Sequence, residues 1–343
     1  MNEAPAAIDT REQVLARLRE DERFALATHE HPDGDALGSL VAMHELLNAL
    51  GKDSVMFVSS DDLPLPEEYR LFLLDGAIHV PPNDIGERTV IFLDCGNIDR
   101  NSAAVLRDGA HLLNIDHHHD NTHFGTLNHV VPRASCTAEI VWDLMHGLGV
   151  RPSPVAAQAL YIGLITDTGR FMYENTGPRS HEMAAELIED GVDVADVYRR
   201  LFEEVPVQKL ALMSLALGHL QRFDHGELTL AALSAEDFVH ADAQEHYSEG
   251  IVDQLRAVRG TKVAVFVREL LGEERRGVRK VSLRATDDDV DVSAIARAQG
   301  GGGHRRAAGF STDLALDELI AFLRPAVAAQ LHASDGHATA TLA

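Results

Sequence analysis

The 343-residue chain carries a formal charge of −24, with 45% hydrophobic, 24% charged and only 5% aromatic residues, which suits two soluble globular domains at roughly 100 to 200 residues each. A protein that binds long DNA or RNA normally carries a basic stripe; none is present, so a small substrate held at a few defined points is expected, and bound cations can invert the local field for an anionic one. The two cysteines, Cys95 and Cys136, cannot make a disulfide framework, and with no apolar signal core and no run of about 18 apolar residues a cytoplasmic setting without membrane contact is expected.

The first half reads as α/β. Residues 24–28 (FALAT) form a buried-strand pattern followed by the loop HEHPDGD, and residues 36–50 form a helix stopped by Gly51. Residues 54–59, 90–93 (VIFL) and 111–115 (HLLNI) are three further strands, the last two ending at Asp94 and Asp116. Helices are expected over residues 137–148 and from the Ser153–Pro154 cap to about Thr166. Alternating strands and helices predict a parallel sheet with helices on both faces, whose ligands lie beyond the carboxyl ends of its strands.

Residues 180–222 are helical by pattern and include a stretch, 206–221, able to link two domains. Beyond them GELTLAAL, KVAVFVREL and KVSLRAT alternate like sheet strands. A short helix (DVSAIARAQ), the run GGGGHRRAAG and a last helix over 314–331 complete a smaller α/β domain. The expected boundaries are 10–200 for the first domain, 201–224 for a helical linker, 225–332 for the second domain and 333–343 for a disordered tail.

Four polar clusters fall at element ends. His29-x3-Asp33-x-Asp35 lies on a strand-to-helix loop, where three side chains can be aimed at one point. Taken alone it is matched by a bland reading, since loops are rich in Asp and Asp35 could be a helix N-cap. Asp94 directly follows VIFL. Asp116-His117-His118 follows another buried strand; histidine is the commonest metal ligand, and a carboxylate beside it fixes the ring tautomer. His119 and His123 read as bystanders. Asp167 ends an apolar helix, where a carboxylate is disfavoured unless a cation lies near. Carboxylates and imidazoles without thiolates suit Mn²⁺, Mg²⁺ or Zn²⁺. One bridging carboxylate and five terminal ligands would satisfy two divalent ions about 3.5 to 4 Å apart.

Together these motifs resemble the DHH phosphoesterase superfamily, named for the Asp-His-His seen here at Asp116, His117 and His118. All four of its amino-domain motifs occur in order, and Ser282-Leu283-Arg284 with the Gly-rich run and His304 resembles the DHHA1 domain. The likeness extends over residues 10–330 and is greatest to the two-domain nanoRNase group of bifunctional oligoribonucleases and 3′-phosphoadenosine 5′-phosphate (PAP) phosphatases, some of which hydrolyse cyclic dinucleotides. DHHHDNTHFG, ASCTAEIV and DTGRF look like that group's pattern. The resemblance implies two divalent ions, Mn²⁺ first with Mg²⁺ or Co²⁺ as alternatives. It implies His29, Asp33 and Asp94 around one and Asp35, Asp94, His117 and Asp167 around the other, with Asp94 as the bridge. His118 would face the scissile phosphate and Asp116 would orient the histidines. Arg284, Gly301, Gly302, Gly303 and His304 would hold the substrate, and Arg305 and Arg306 could be solvated charges. A homodimer acting on a mononucleotide or a few nucleotides, and not on long duplexes, is expected. Two positions depart from the pattern: Cys95, where a small or hydroxyl residue is expected, and Gln299, where an aromatic is frequent. The alternatives are an inorganic pyrophosphatase, a RecJ-like single-strand exonuclease and a nucleotide sensor without catalysis. A lone glycine run is often only a linker; the histidine and two arginines that follow this one favour a phosphate-contacting loop.

Overall fold

Short apolar runs become the strands of a parallel sheet in the first half of the chain. The computed structural model describes residues 10–72, 74, 76–101, 103–203, 205–286, 289–303 and 305–340, and the chain divides after residue 204 into two units. In the first, the elements are α1 (Thr10–Glu20), β1 (Arg23–Ala27), α2 (Gly34–Ala49), β2 (Asp53–Met56), β3 (Thr89–Leu93), β4 (His111–Asp116), β5 (Leu127–Val130), α3 (Thr137–Leu148), α4 (Pro154–Asp167), α5 (Pro178–Glu189) and α6 (Val194–Tyr198). The sheet order is β2-β1-β3-β4-β5, parallel throughout.

Strands buried on both faces read as unbroken apolar runs, and all five residues of β3 are buried. Phe24, Leu26, Ile91, Leu93, Leu113 and Ile115 face the α-helices. Ala25, Ala27, Val90 and Phe92 face the other way, under Ile85 and Leu106. Among the described residues that second face is covered by short 3₁₀ segments (Ile85–Glu87 and Ala104–Asp108) and not by the α-helices expected there. Pro64, Pro66, Pro81 and Pro82 break up the intervening segment, because proline lacks the N–H and clashes with the preceding turn. The second predicted strand is shorter than expected: beyond Met56, Phe57 makes only an isolated bridge to Ile78.

α2 starts on Asp33, whose carboxylate accepts the N–H groups of Asp35 and Ala36 at 3.1 Å each. Asp33, and not Asp35, is therefore the N-cap. α4 starts as the sequence indicates: Ser153 Oγ accepts the Ala156 N–H at 3.1 Å, with Pro154 next to it. α2 and α4 cross closely. A side chain at Gly38 would collide with the Ala159 carbonyl, and one at Gly163 would meet the Ala138 methyl at 2.8 Å and Asp35 Oδ1 at 3.0 Å. Glycine thus lets α4 bring its carboxyl end beside Asp35.

The second unit contains α7 (Val207–Gly218), β6 (Gln221–Phe223), β7 (Leu228–Leu233), α8 (Ala235–His240), α9 (Ile251–Arg256), β8 (Val263–Glu269), β9 (Arg279–Ala285), α10 (Val292–Arg297), β10 (Gly302–Gly303), β11 (Ala307–Thr312) and α11 (Leu316–Ala340). Its sheet runs β10-β11-β9-β8-β7-β6 and is antiparallel except between β7 and β8. Alternation sorts the side chains. Val263 and Val265 pack with Leu319 and Leu323 of α11, and Ala264 and Phe266 pack with Leu212, Phe238 and Ile251. The stretch read as helical over 180–222 is broken: a π turn (Arg199–Glu203) follows α6, and α7 buries Leu212 and Ala216 in the second unit. The last helix, α11, continues as far as Ala340.

Candidate metal centre

The carboxyl ends of β1, β3 and β4 lie side by side, since Ala27 pairs with Phe92 and Leu93 with Ile115. Each strand delivers polar residues at or just past its end: His29 two residues after β1, Asp94 directly after β3, and Asp116, His117 and His118 at the end of β4. Asp94 turns sharply, with φ of 56°. That left-handed conformation is uncommon for a residue with a side chain and clusters at functional sites. α2 contributes Asp33 and Asp35 from its first turn, and α4 contributes Asp167, its last residue.

These residues converge within the first unit. One group of donor atoms, from His29, Asp33 and Asp94, lies within 4.8 Å of one another; a second comes from Asp35, His117 and Asp167, and a third from Asp94, His117 and His118. The structure brings the three residues of the first group together. In the second, His117 Nε2 stands 4.0 Å from Asp35 Oδ2, 3.7 Å from Asp167 Oδ2 and 3.6 Å from Asp94 Oδ1. The other oxygen of Asp94, Oδ2, lies 3.6 Å from His29 Nε2. Asp94 therefore presents one oxygen to each group. His118 is nearer this cluster than the sequence suggests, with Nδ1 3.5 Å from Asp94 Oδ1, although its tighter bond is to Asp116 Oδ1 at 2.8 Å.

A surrounding layer of donors holds the carboxylates. Asp116 accepts the His117 N–H at 2.8 Å and Asn121 Nδ2 at 2.5 Å. Asp35 accepts the Thr137 N–H at 2.7 Å and the Ala138 N–H at 2.9 Å, both from the first turn of α3. Thr137 Oγ1 donates to Asp94 at 3.1 Å, and Asn175 Nδ2 donates to Asp167 Oδ2 at 3.1 Å. Thr137, Asn121 and Asn175 were not singled out from the sequence. The signal for two of them lay in the stretches DHHHDNTHFG and ASCTAEIV.

The electrostatics show what the cluster lacks. Burial, followed by the charges of Asp94, Asp167 and Asp33, pushes the Asp35 carboxyl well above the usual range. Burial, with Asp94 and Asp33 nearby, raises Asp167 to about 7 against the attraction of His117. Asp94 goes the opposite way: burial opposes its charge, but the His29 hydrogen bond and the charges of His118 and His117 outweigh that and hold it well below the carboxylate range. His118 is desolvated, yet its bond to Asp116 and the charges of Asp94 and Asp116 lift it to about 9. Carboxylates that cling to protons inside a buried histidine–aspartate cluster are short of positive charge. Divalent cations supply that charge, and an all-oxygen-and-nitrogen donor set is what hard and borderline divalent ions take. The residues present fit divalent metal ions.

In the second unit Arg284 is half-buried on β9, with Nε 3.6 Å from Asp253 Oδ1. The glycine run is not a linker. Gly302 and Gly303 form β10, paired with Gly309 and Ala308 of β11. A side chain at Gly301 would run into the Gly309 carbonyl and Phe310, so tight packing is reason enough for that glycine, whereas Gly302 faces open space. Gly303 has φ of 134°, barred to most residues. His304 lies outside the described residues. Cys95 is buried and donates its thiol to the Asn97 carbonyl at 3.1 Å.

No helix among the described residues is long and apolar enough to cross a membrane. The DHH family, N-terminal domain model matches residues 23–164, and the DHHA1 domain model matches residues 230–329. The chain is 37% identical over 288 residues to the bifunctional oligoribonuclease and PAP phosphatase NrnA of Thermus thermophilus, covering 83% of this chain and 82% of that one. It is 28% identical to the probable bifunctional oligoribonuclease and PAP phosphatase NrnA of Streptococcus mutans, covering 86% and 91%. The crystal structure of an exopolyphosphatase-related protein from Bacteroides fragilis shares its fold, with a TM-score of 0.86 at 22% identity over 95% of this chain and 97% of that one. With matched domains in each half, a relative of this identity along most of both chains, and the Asp-His-His motif set among converging carboxylates, the chain belongs to the DHH family and carries a DHHA1 domain.

Proposed function

We propose that the chain is a divalent-metal-dependent phosphoesterase that hydrolyses short oligoribonucleotides to mononucleotides and PAP to AMP, with cyclic dinucleotides as further substrates and Mn²⁺ as the working metal. The observation that carries this reading is Asp94: it stands between a His29–Asp33 pair and an Asp35–His117–Asp167 group with one oxygen toward each. The names of the Thermus and Streptococcus relatives support the substrate class. His29, Asp33 and Asp94 would hold one ion, and Asp35, Asp94, His117 and Asp167 the other. Bound divalent ions neutralise charge on the phosphoryl oxygens and make water a better nucleophile near neutral pH.

The remaining chemistry falls to His118. Asp116 holds its Nδ1 at 2.8 Å, which places a proton on Nδ1 and fixes the ring; in the proposed reaction Nε2 would serve the phosphate. In the metal-free chain the ring is lifted to about 9, and its bond to Asp116 favours the protonated form whether or not the carboxylates nearby hold cations. Nε2–H can then donate to a non-bridging phosphoryl oxygen or give its proton to the leaving oxygen. Asn121 braces Asp116 from behind, so the imidazolium keeps one orientation.

Substrate choice is assigned to Arg284, to the backbone of Gly301, Gly302 and Gly303, and to His304. The test of the reading is a comparison of kcat/KM on dinucleotides, PAP, cyclic dinucleotides and inorganic pyrophosphate with Mn²⁺ present. Dinucleotides and PAP should be turned over well and pyrophosphate poorly; the reverse order would sink the proposal. Arg284→Ala should lower kcat/KM on dinucleotides by about tenfold or more, the worth of a charge-assisted contact, and change hydrolysis of bis-p-nitrophenyl phosphate much less. Equal losses on both substrates would remove Arg284 from substrate recognition.

A further inference from the structure

The stretch ASCTAEIV, residues 134–141, opens α3 and contains no candidate metal ligand, yet its first turn is built around the carboxylates of the centre. Cys136 is the N-cap, its sulfur accepting the Glu139 N–H at 3.3 Å. The Glu139 carboxylate reaches back to accept the Ser135 N–H at 2.9 Å and the Ser135 hydroxyl at 2.6 Å. This reciprocal cap fixes the turn. The Thr137 and Ala138 N–H groups, which have no partner inside the helix, then point at Asp35.

Thr137 does two things. Its N–H meets Asp35 Oδ2 at 2.7 Å, and its hydroxyl meets Asp94 Oδ1 at 3.1 Å. Asp35 and Asp94 belong to different donor groups of the cluster. Thr137 is fully buried, with Asp35 1% and Asp94 2% exposed, so no bulk water competes for these bonds. The hydroxyl bond also bears on how Asp94 is turned about its last torsion. With Oδ1 held by Thr137, that oxygen faces His117 and Oδ2 faces His29, at 3.6 Å in each case. His118 Nδ1, 3.5 Å from Oδ1, is the competing partner that would draw the carboxylate away.

We propose that Thr137 is a positioning residue of the metal centre: one side chain and its own N–H set the spacing of Asp35 and Asp94 and aim the two oxygens of Asp94 at separate ions. The proposal rests on the metal reading given above and concerns metal binding, so its test does not depend on knowing the substrate.

The experiment measures Mn²⁺ binding to EDTA-stripped full-length protein by titration calorimetry and by electron paramagnetic resonance. It compares wild type with Thr137→Ser, Thr137→Val and Thr137→Ala, with folding checked by circular dichroism. Ser keeps the hydroxyl; Val keeps the branched shape and lacks only the hydroxyl. Loss of such an outer partner costs about 10–100-fold in metal affinity. Val and Ala should show that loss together with a weakened spin-coupled Mn²⁺-pair signal, and Ser should bind within about threefold of wild type on the same basis. Val or Ala binding like Ser, pair signal intact, would overturn the proposal. Failure of both Val and Ala to fold while Ser folds would place the hydroxyl in folding, and would overturn it too. Wild-type protein that takes up no Mn²⁺ would sink the metal reading itself, an outcome distinct from equal binding by all four proteins.

Discussion

Asp94→Asn should fold like wild type and lose activity by about 10³-fold or more, on the scale seen when one group that stabilises transition-state charge is removed. The substitution is nearly isosteric, and the amide oxygen can still accept from Thr137 Oγ1. The charge is what it takes away. Asp94 is the carboxylate that the three histidines keep ionised: His29 hydrogen-bonds it, and the charges of His118 and His117 favour it against burial. A neutral Asn leaves those rings without their shared counter-charge and takes the carboxylate out of both donor groups that contain it, His29–Asp33–Asp94 and Asp94–His117–His118. Less Mn²⁺ should bind as well, read from the stoichiometry in a titration. Near wild-type turnover by a folded Asp94→Asn protein would refute the assignment of Asp94 as the bridge. A parallel loss in Asp94→Ala with the helical circular dichroism signal retained would show that the effect is local.

Much of this centre was legible because a parallel sheet writes its strand ends into the sequence. VIFL, a short unbroken apolar run, reads as a strand buried on both faces, which puts the polar residue after it at the carboxyl edge, where Asp94 is found. The same logic placed His29 and the Asp-His-His motif. The supporting layer was not legible. Thr137 reaches Asp35 across 102 residues and Asn121 is paired with Asn114, contacts that follow from packing and leave no periodic trace. β5 (LNHV) was missed because an edge strand is polar on its exposed side, and only His129 of its four residues is buried. The glycines of β10 carry no side-chain pattern at all, and their pairing with β11 is set by backbone hydrogen bonds. Arg284 was expected as a gripping residue; the fold gives it Asp253 as a neighbour, a partner that no local spacing foretold.

Stripping the metal should make the protein less stable as the pH is raised, the opposite of ordinary carboxylate behaviour. Asp35 is held well above its usual range and Asp167 at about 7, so in the folded, metal-free state both keep protons that the unfolded chain gives up near pH 4. Between those values the folded state binds more protons than the unfolded state, and stability falls with rising pH. His118 acts in the same direction: lifted to about 9, it contributes stability that is complete below about pH 6.5 and lost as pH rises through 9. Asp94 and Asp116, both held low, lose their contribution only in acid. Metal-free protein should therefore melt lower at pH 8.5 than at pH 6, by roughly 3–10 °C given that about 1 kcal/mol moves a domain of this size by about 2–4 °C. A divalent ion competes for the same oxygens as those protons. Its binding should release protons at pH 6, and the rise in Tm on adding Mn²⁺ should be larger at pH 8.5. The effect is separable from general repulsion in a chain of charge −24, because Asp167→Asn removes one raised carboxyl and leaves the rest of the surface intact; the pH slope of the metal-free variant should be shallower than that of wild type. Scanning calorimetry of both proteins at the two pH values, with EDTA or with Mn²⁺, decides the matter. A metal-free Tm that is flat or rises with pH, or a slope untouched by Asp167→Asn, would mean that the crowding of carboxylates in this cluster is relieved by something other than a bound cation.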